Sequence, residues 1–240
     1  MRRKLTASAV SFSALFTLSV PVAAQPPAPG ASEVVEVTAT RLSRELYEMP
    51  AAVSVINAQD ELRSQQALQL DEALRLVPGL YFQNRYNFAQ NLRISARGFG
   101  ARAPFGVRGL HLQMDGIPFT LPDGQSQVDA IDLNAVERLQ VIRGPAAVQY
   151  GNGAGGVIDI TSASGETLAG FAANLDVGSH DFYKVSARAG GANEHGSAHV
   201  SLMRLSYRGY RDQSEVDKRL LHAKFRWDAD AARSLTLVAS

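Results

Sequence analysis

The sequence predicts an α+β domain followed by the first antiparallel strands of an incomplete transmembrane β-barrel. Three observations carry this. Between Ala52 and Thr161, short β-branched runs alternate with a helix-periodic stretch and stop at Pro-Gly, Asp-Gly and glycine-rich turns. From Phe171 onward the runs lengthen and alternate between apolar and polar residues. Between the two lies Glu137 to Thr161, ERLQVIRGPAAVQYGNGAGGVIDIT, where two alternating strands flank a short helix and a cluster of glycines.

Composition bounds the function classes. The 240 residues are 45% hydrophobic and 20% charged with net charge +1, which excludes a disordered tail and a strongly basic nucleic-acid binder. With no cysteine there is no disulfide framework, thiolate metal site or cysteine nucleophile. Met1-Arg2-Arg3-Lys4, the apolar run from Leu5 to Val20, and Val22-Ala23-Ala24 before Gln25 are the three parts of a cleavable export signal over residues 1–24. A permanent membrane anchor fits less well, because Ser and Thr interrupt the run and Pro21 breaks it. Residues 25–49 read as a linker, in which Pro26-Pro27-Ala28-Pro29-Gly30 has little to bury and Glu33 to Thr40 is one isolated β-prone segment. A lone strand needs a partner, either in its own domain or on another protein's sheet edge, and the residues leave both open.

Residues 50–161 read as the α+β domain. Ala52 to Ile56 is a short strand, and Asn57 with Asp60 supplies an N-cap and a first-turn acid for a helix. The spacing Leu70, Ala73, Leu74, Val77 predicts a second helix with one apolar face, with Asp71, Glu72 and Arg75 outside and Pro78-Gly79 as its stop. Leu80 to Phe82 and Leu92 to Arg97 follow as strands, the latter with Arg93, Ser95 and Arg97 on a wet face. Gly109 to Met114 alternates again before an Asp115-Gly116 turn, and Asn134 with Glu137 forms a capping box. Arg138 to Ile142 is a strand, Pro145 opens a short helix ended by glycine, and Val157 to Ile160 is the next strand. Gly151, Gly153 and Gly156 spell GxGxxG. They close a helix and open a strand, the reverse of a dinucleotide fingerprint, so close backbone packing is the expected role.

Three loops, 83–90, 99–105 and 119–125, carry arginine and aromatic residues that can pair with carboxylates and stack on planar rings. The same residues would serve equally well to seat the domain in its surroundings.

Residues 162–240 read as barrel strands. Phe171, Ala173, Leu175 and Val177 share one face; Tyr183, Val185, Ala187 and Ala189 do so in the next run, opposite Lys184, Ser186 and Arg188. Leu221, Ala223, Phe225 and Trp227 oppose His222, Lys224 and Arg226, and Trp227 and Tyr183 stand near strand ends as an outer-membrane barrel requires. A water-soluble sandwich alternates in the same way. The run from Ser197 to Tyr207 loses its regularity at Met203 and Arg204, the mark of a bulge or of an exit from the lipid. His180, His195, His199 and His222 fall in turns or on polar faces without metal-ligand spacing and are expected to be solvated. Neither GxSxG nor HExxH occurs, so the residues offer no catalytic constellation and no enzyme is expected.

Glu137-Arg138-Leu139-Gln140-Val141-Ile142-Arg143-Gly144-Pro145, with Tyr150-Gly151-Asn152-Gly153-Ala154-Gly155-Gly156-Val157-Ile158, resembles the end of the plug domain of TonB-dependent outer-membrane receptors. The resemblance runs from about Val34 to the last residue. It implies a plug over 50–161 and the start of a barrel over 162–240, with the remaining strands beyond Ser240, so that this chain alone is not expected to close a barrel or to transport. It implies that Val34, Val35, Glu36, Val37, Thr38, Ala39 and Thr40 are the TonB box, adding as a strand to TonB of the inner-membrane complex. It points to Arg85, Tyr86 and Arg102 as substrate-binding residues. It matches Arg97 and Arg143 to arginines that pair with barrel glutamates and hold the plug. The implied activity is uptake of a scarce anionic chelate such as a ferric siderophore through the outer membrane, with no cofactor. The run Arg97 to Gly109, with Asp115-Gly116-Ile117-Pro118 and Pro122-Asp123-Gly124-Gln125, is most similar to the branch containing a pyrroloquinoline-quinone receptor, which makes that cofactor the second substrate expectation. A soluble periplasmic binding module made of the plug alone is the alternative from a different class.

Overall fold

The computed structural model describes residues 36–37, 44–45, 51–62, 64–88, 90–104, 106–144, 147–210, 212–230 and 233–240. The export signal expected over residues 1–24 lies outside them, as do Val34, Val35, Thr38, Ala39 and Thr40 of the expected box. What is described of that segment is β1 (Glu36–Val37), paired antiparallel with β2 (Arg44–Glu45), so the strand finds a partner within its own chain. Val37 is fully buried.

The first domain begins with β3 (Ala52–Asn57) and α1 (Ala58–Glu61), where Asn57 Oδ1 accepts from the Gln59 N–H at 3.1 Å as the cap the sequence predicts. After α2 (Leu70–Leu74) the Pro78-Gly79 turn leads into β4 (Leu80–Gln83), which pairs with β5 (Arg93–Ala96). The small β6 (Val107–Arg108) pairs with β9 (Gln125–Ser126), while β7 (His111–Met114) and β8 (Ile117–Pro118) form a hairpin. Asp115 and Gly116 at its tip both have positive φ, 50° and 78°, the conformation a two-residue hairpin turn requires. β10 (Val136–Arg143), α3 (Ala147–Tyr150) and β11 (Gly156–Ser162) complete the domain. The main sheet has the order β3-β10-β11-β7-β8; β11 runs parallel to β7 and antiparallel to β10, and β10 antiparallel to β3. Leu70 and Leu74 of α2 pack with Leu92, Ile94, Leu112, Leu139 and Ile158 in one core.

Three local expectations change. Asp71 and Glu72 are buried rather than outside, because Glu72 turns back to accept from the amides of Ala67, Leu68 and Gln69 and Asp71 meets Arg85. Ser95 is buried rather than on a wet face, since β5 is covered on both sides. The cap near 134 is Asp132, whose Oδ1 accepts from the Asn134 amide at 3.0 Å and starts a 3₁₀ turn, Leu133–Ala135; Glu137 already lies in β10.

The glycine cluster serves backbone packing. Gly155 donates to Gly109 O at 2.8 Å, and a Cβ on it would stand 2.5 Å from Phe99 Cβ. Gly156 has φ +138°, and its Cβ would stand 2.2 Å from Ile142 O.

The second unit of secondary structure is an antiparallel meander of β12 (Gly170–Gly178), β13 (Phe182–Asn193), β14 (Gly196–Tyr207), β15 (Val216–Asp230) and β16 (Arg233–Ala239). Its pairing through β14 is continuous, so Met203 and Arg204 mark no bulge; the register shifts only between Asp228 and Asp230. Its polarity separates the two architectures that the alternation left open. Phe171, Leu175, Leu221, Phe225, Trp227 and Leu237 are exposed, whereas Lys184, Ser186, His199, Ser201 and His222 are buried against the first domain. A water-soluble sandwich buries its apolar side; here the polar side is covered, as in the lumen of a membrane barrel. His199 and His222 are therefore buried, not solvated, because their strand face is roofed by the first domain.

Replacing Gly156 by alanine is expected to destabilise the first domain by about 1–3 kcal/mol through the forced φ and the clash with Ile142 O. A lowered urea midpoint for Gly156→Ala would register it, and an unchanged midpoint would count against the packing role.

Candidate ligand and plug–wall sites

Arg85 and Tyr86 sit on the tight loop after β4, where Asn84 and Tyr86 both adopt left-handed φ, 62° and 57°. Two side chains of the α2 region set this loop. Gln69 Oε1 accepts from the Tyr86 amide at 3.1 Å, and buried Asp71 accepts from Arg85 Nε. The Arg85 guanidinium lies 5.5 Å above the Tyr86 ring and stays about half exposed, at 47%. Its hydrogen bond to Asp71 raises its pKa further, so the cation is permanent. Farther along the loop, Phe88 packs edge-on against Tyr207 at the end of β14, with ring centroids 6.2 Å apart.

Arg102 is exposed on the second loop, held from below by Arg93, whose Nη1 donates to Ala103 O at 2.8 Å. No hydrogen bond or ion pair joins Arg102 to Arg85 or Tyr86 among the described residues. The third loop is fixed to the glycine cluster by Asn152, which donates to Pro122 O at 3.2 Å. Asp159 on β11 has its pKa raised by burial, against which a 2.8 Å hydrogen bond from Gln113 works.

The polar face of the meander grips the first domain. Lys224 Nζ donates to Asp115 Oδ1 at 2.8 Å and to Ser162 O at 3.1 Å, and Asp115 also accepts from the Ser162 amide and hydroxyl. Lys184, almost fully buried, donates to the carbonyls of Gln66 and Ala67 and to Asn134 Oδ1. Ser201 donates to Asp132 at 2.6 Å, and Arg188 to Gln59. Apolar packing joins in: Leu68 enters a cluster with Phe182, Met203 and Leu205, against which Phe88 and Tyr207 also pack. Among the described residues no group of three or more His, Cys, Asp or Glu is placed to hold a metal ion.

A small mixed domain seated on the polar face of an outward-apolar meander narrows the comparison with known proteins. Residues 45–158 match the family model described as the TonB-dependent Receptor Plug Domain. Residues 45–158 are thus a TonB-dependent receptor plug domain. A vitamin B12 transporter of Vibrio vulnificus, BtuB, is 30% identical over 149 residues, covering 62% of this chain and 23% of that protein. The ferric aerobactin receptor of Klebsiella pneumoniae is 30% identical over 213 residues, 82% of this chain and 26% of that protein. The pyoverdine outer membrane receptor FpvA of Pseudomonas aeruginosa, solved with pyoverdine bound, superposes with a TM-score of 0.65 at 20% identity, covering 85% of this chain and 29% of that chain, and shows the shared fold. The chain thus spans about a quarter of the length of these curated relatives. They are transporters and receptors, and the family places the chain in the outer membrane, with the meander as part of the barrel wall.

Within the plug, Arg143 Nη1 donates to Pro78 O at 2.9 Å and Nη2 to Ser54 Oγ at 3.2 Å, while the Arg97 amide donates to Gly79 O at 3.2 Å. The fold thereby gathers both arginines at the Pro78-Gly79 turn. The residues that seat the plug on the described wall strands are others, chiefly Lys184 and Lys224, which the sequence marks only as members of a polar strand face. Lys224→Met leaves the Asp115 carboxylate buried without its cation, and a loss of about 3–5 kcal/mol is expected. Denaturation of the single variants and of Lys224→Met/Asp115→Asn checks this: the double variant should recover part of the loss, and additive losses would deny the coupling.

Proposed function

We propose that this chain is part of a transporter that takes a scarce anionic chelate of the ferric siderophore class across the outer membrane with energy from TonB, and is not an enzyme. In this reading the plug spans 50–161 and the wall 162–240. The observation that carries it is the Arg85–Tyr86 pair, a half-exposed cation held over an aromatic ring by a buried carboxylate. Its place fits an outward-facing site. The wall strands are joined at one end by the two-residue turn 194–195 and at the other by 179–181 and the longer connection between Tyr207 and Val216. In such barrels the short turns are periplasmic and the longer loops extracellular, and Phe88 ties the Arg85 loop to Tyr207 beside the longer loop. Arg102 extends the same surface chemistry on its own exposed loop. The relatives that transport vitamin B12 or bind ferric aerobactin fit a scarce metal chelate. Pyrroloquinoline quinone, planar and anionic, is the second reading, favoured by the guanidinium lying over a ring.

Uptake of labelled ferric chelates and of the quinone by cells carrying the complete receptor separates the two. Arg85→Ala or Arg102→Ala is expected to weaken binding of the transported compound by about 1.5–3 kcal/mol, the worth of a charge-assisted hydrogen bond. Unchanged affinity in both variants would move the site elsewhere.

For energy coupling, we read Val34 to Thr40 as the box and Arg97 with Arg143 as the plug's latch to barrel glutamates. Among the described residues Glu36–Val37 pairs with Arg44–Glu45 in a two-residue ladder, which an equivalent ladder on TonB could replace. Val37→Pro removes one donor from that strand. Energised uptake should then be lost with ligand binding intact, and transport at the normal rate would refute the box.

A further inference from the structure

The outward face of the wall is apolar but not level. Across four strands the pairing aligns Gly191, Ala198, Phe225 and Leu237 in one row, and Asn193, Gly196, Trp227 and Leu235 in the next. In the first row β13 and β14 contribute almost no side chain, whereas β15 and β16 contribute large ones. The step leaves a furrow of about 530 Å³ at the foot of the Phe225–Trp227 ridge. Its floor is open, for a Cβ on Gly191 would meet nothing within 4 Å. Asn193 and His195 form its mouth at the turn between β13 and β14, where Glu194 and His195 are exposed. That turn lies at the end opposite the longer connection between Tyr207 and Val216, the periplasmic end in the proposed reading, and Trp227, paired with Gly196 at the start of β14, stands there as aromatic residues do at a membrane interface.

We propose that this furrow binds one glycerophospholipid of the periplasmic leaflet, with an acyl chain along the Gly191–Ala198 floor and the head at residues 193–195. The surface has an apolar trough and a single polar end, which matches an amphiphile; a protein partner would meet apolar walls with no polar rim around them. In hydrocarbon, an unfilled trough would forfeit dispersion contacts along its length, and a flexible chain can follow its contour where a rigid surface cannot. The site faces away from the plug and does not depend on which compound the receptor carries.

The test is native mass spectrometry of the complete receptor, freed of lipid in detergent and titrated with dioleoylphosphatidylethanolamine. Wild type should hold one phospholipid at concentrations where Gly191→Leu and Ala198→Leu, two independent ways of filling the trough, hold none. Ala173→Leu, which adds the same side chain elsewhere on the outward face, should keep it. Equal retention in all four proteins, equal loss in Ala173→Leu, or no lipid on wild type would each overturn the proposal. A dimer that disappears in Gly191→Leu would overturn it as well, by assigning the furrow to a second copy of the chain.

Discussion

A strand that faces lipid must turn its apolar residues outward, and this leaves a polar face as the seat of the plug. The constraint sets the character of the whole contact. Lys184, Arg188, Ser201 and Lys224 reach inward to carbonyls, an amide and two carboxylates of the plug, and among the described residues the small cluster around Leu68, Phe88 and Phe182 adds apolar packing at this interface. Hydrogen bonds to a charged group exchange for hydrogen bonds to water at a net difference of about 1.5–3 kcal/mol each. A plug seated in this way is firmly placed while present, yet its seat can be wetted again without exposing a large apolar surface.

Cohesion within the plug rests on a different interaction. Its core is apolar and continuous, from Leu70 and Leu74 on α2 to Leu139 and Ile158 on the central strands. The short helix α2 joins this core to both surfaces of functional interest. Asp71 points to Arg85, while Glu72 binds the amides of residues 67–69, whose neighbouring carbonyls at 66 and 67 are held by Lys184 of the wall. One turn of helix therefore fixes the Arg85 loop with one acid and the wall-anchored loop with the next.

Much of this was legible in the sequence, because it follows from local chemistry. Proline and glycine at 78–79, Asp-Gly at 115–116 and the glycine cluster set the ends of elements, and strict alternation after Phe171 assigned faces. Faces alone did not say which side was covered. That needed the plug to be laid on the sheet, which is why His199 and His222 looked solvated and proved buried. Asp71 and Glu72 were misplaced for a related reason: helical spacing sees a charged flank, and only distant or returning partners make its burial tolerable. Asp132 took the cap from Asn134 because its side chain meets the amide two residues on, a geometry that the box pattern at three residues does not sample. Lys224 and Asp115 are 109 residues apart, and no sequence period connects them.

The contrast between ladders bears on how such a chain can be held and pulled. β10 and β11 are joined along almost their whole lengths, and β3 lies at the edge of the same sheet with one neighbour, β10. Among the described residues, β1 and β2 share two residue pairs. Exchanging a two-pair ladder for an equivalent one on another protein replaces the same backbone hydrogen bonds, so little is lost beyond the burial of Val37. Tension applied there would pass through the residues before β3 to its start, where Arg143 binds Pro78 O and Ser54 Oγ across the strand. A short described ladder thus lies outside the core, and the first strand beyond it is braced by an arginine from its neighbour.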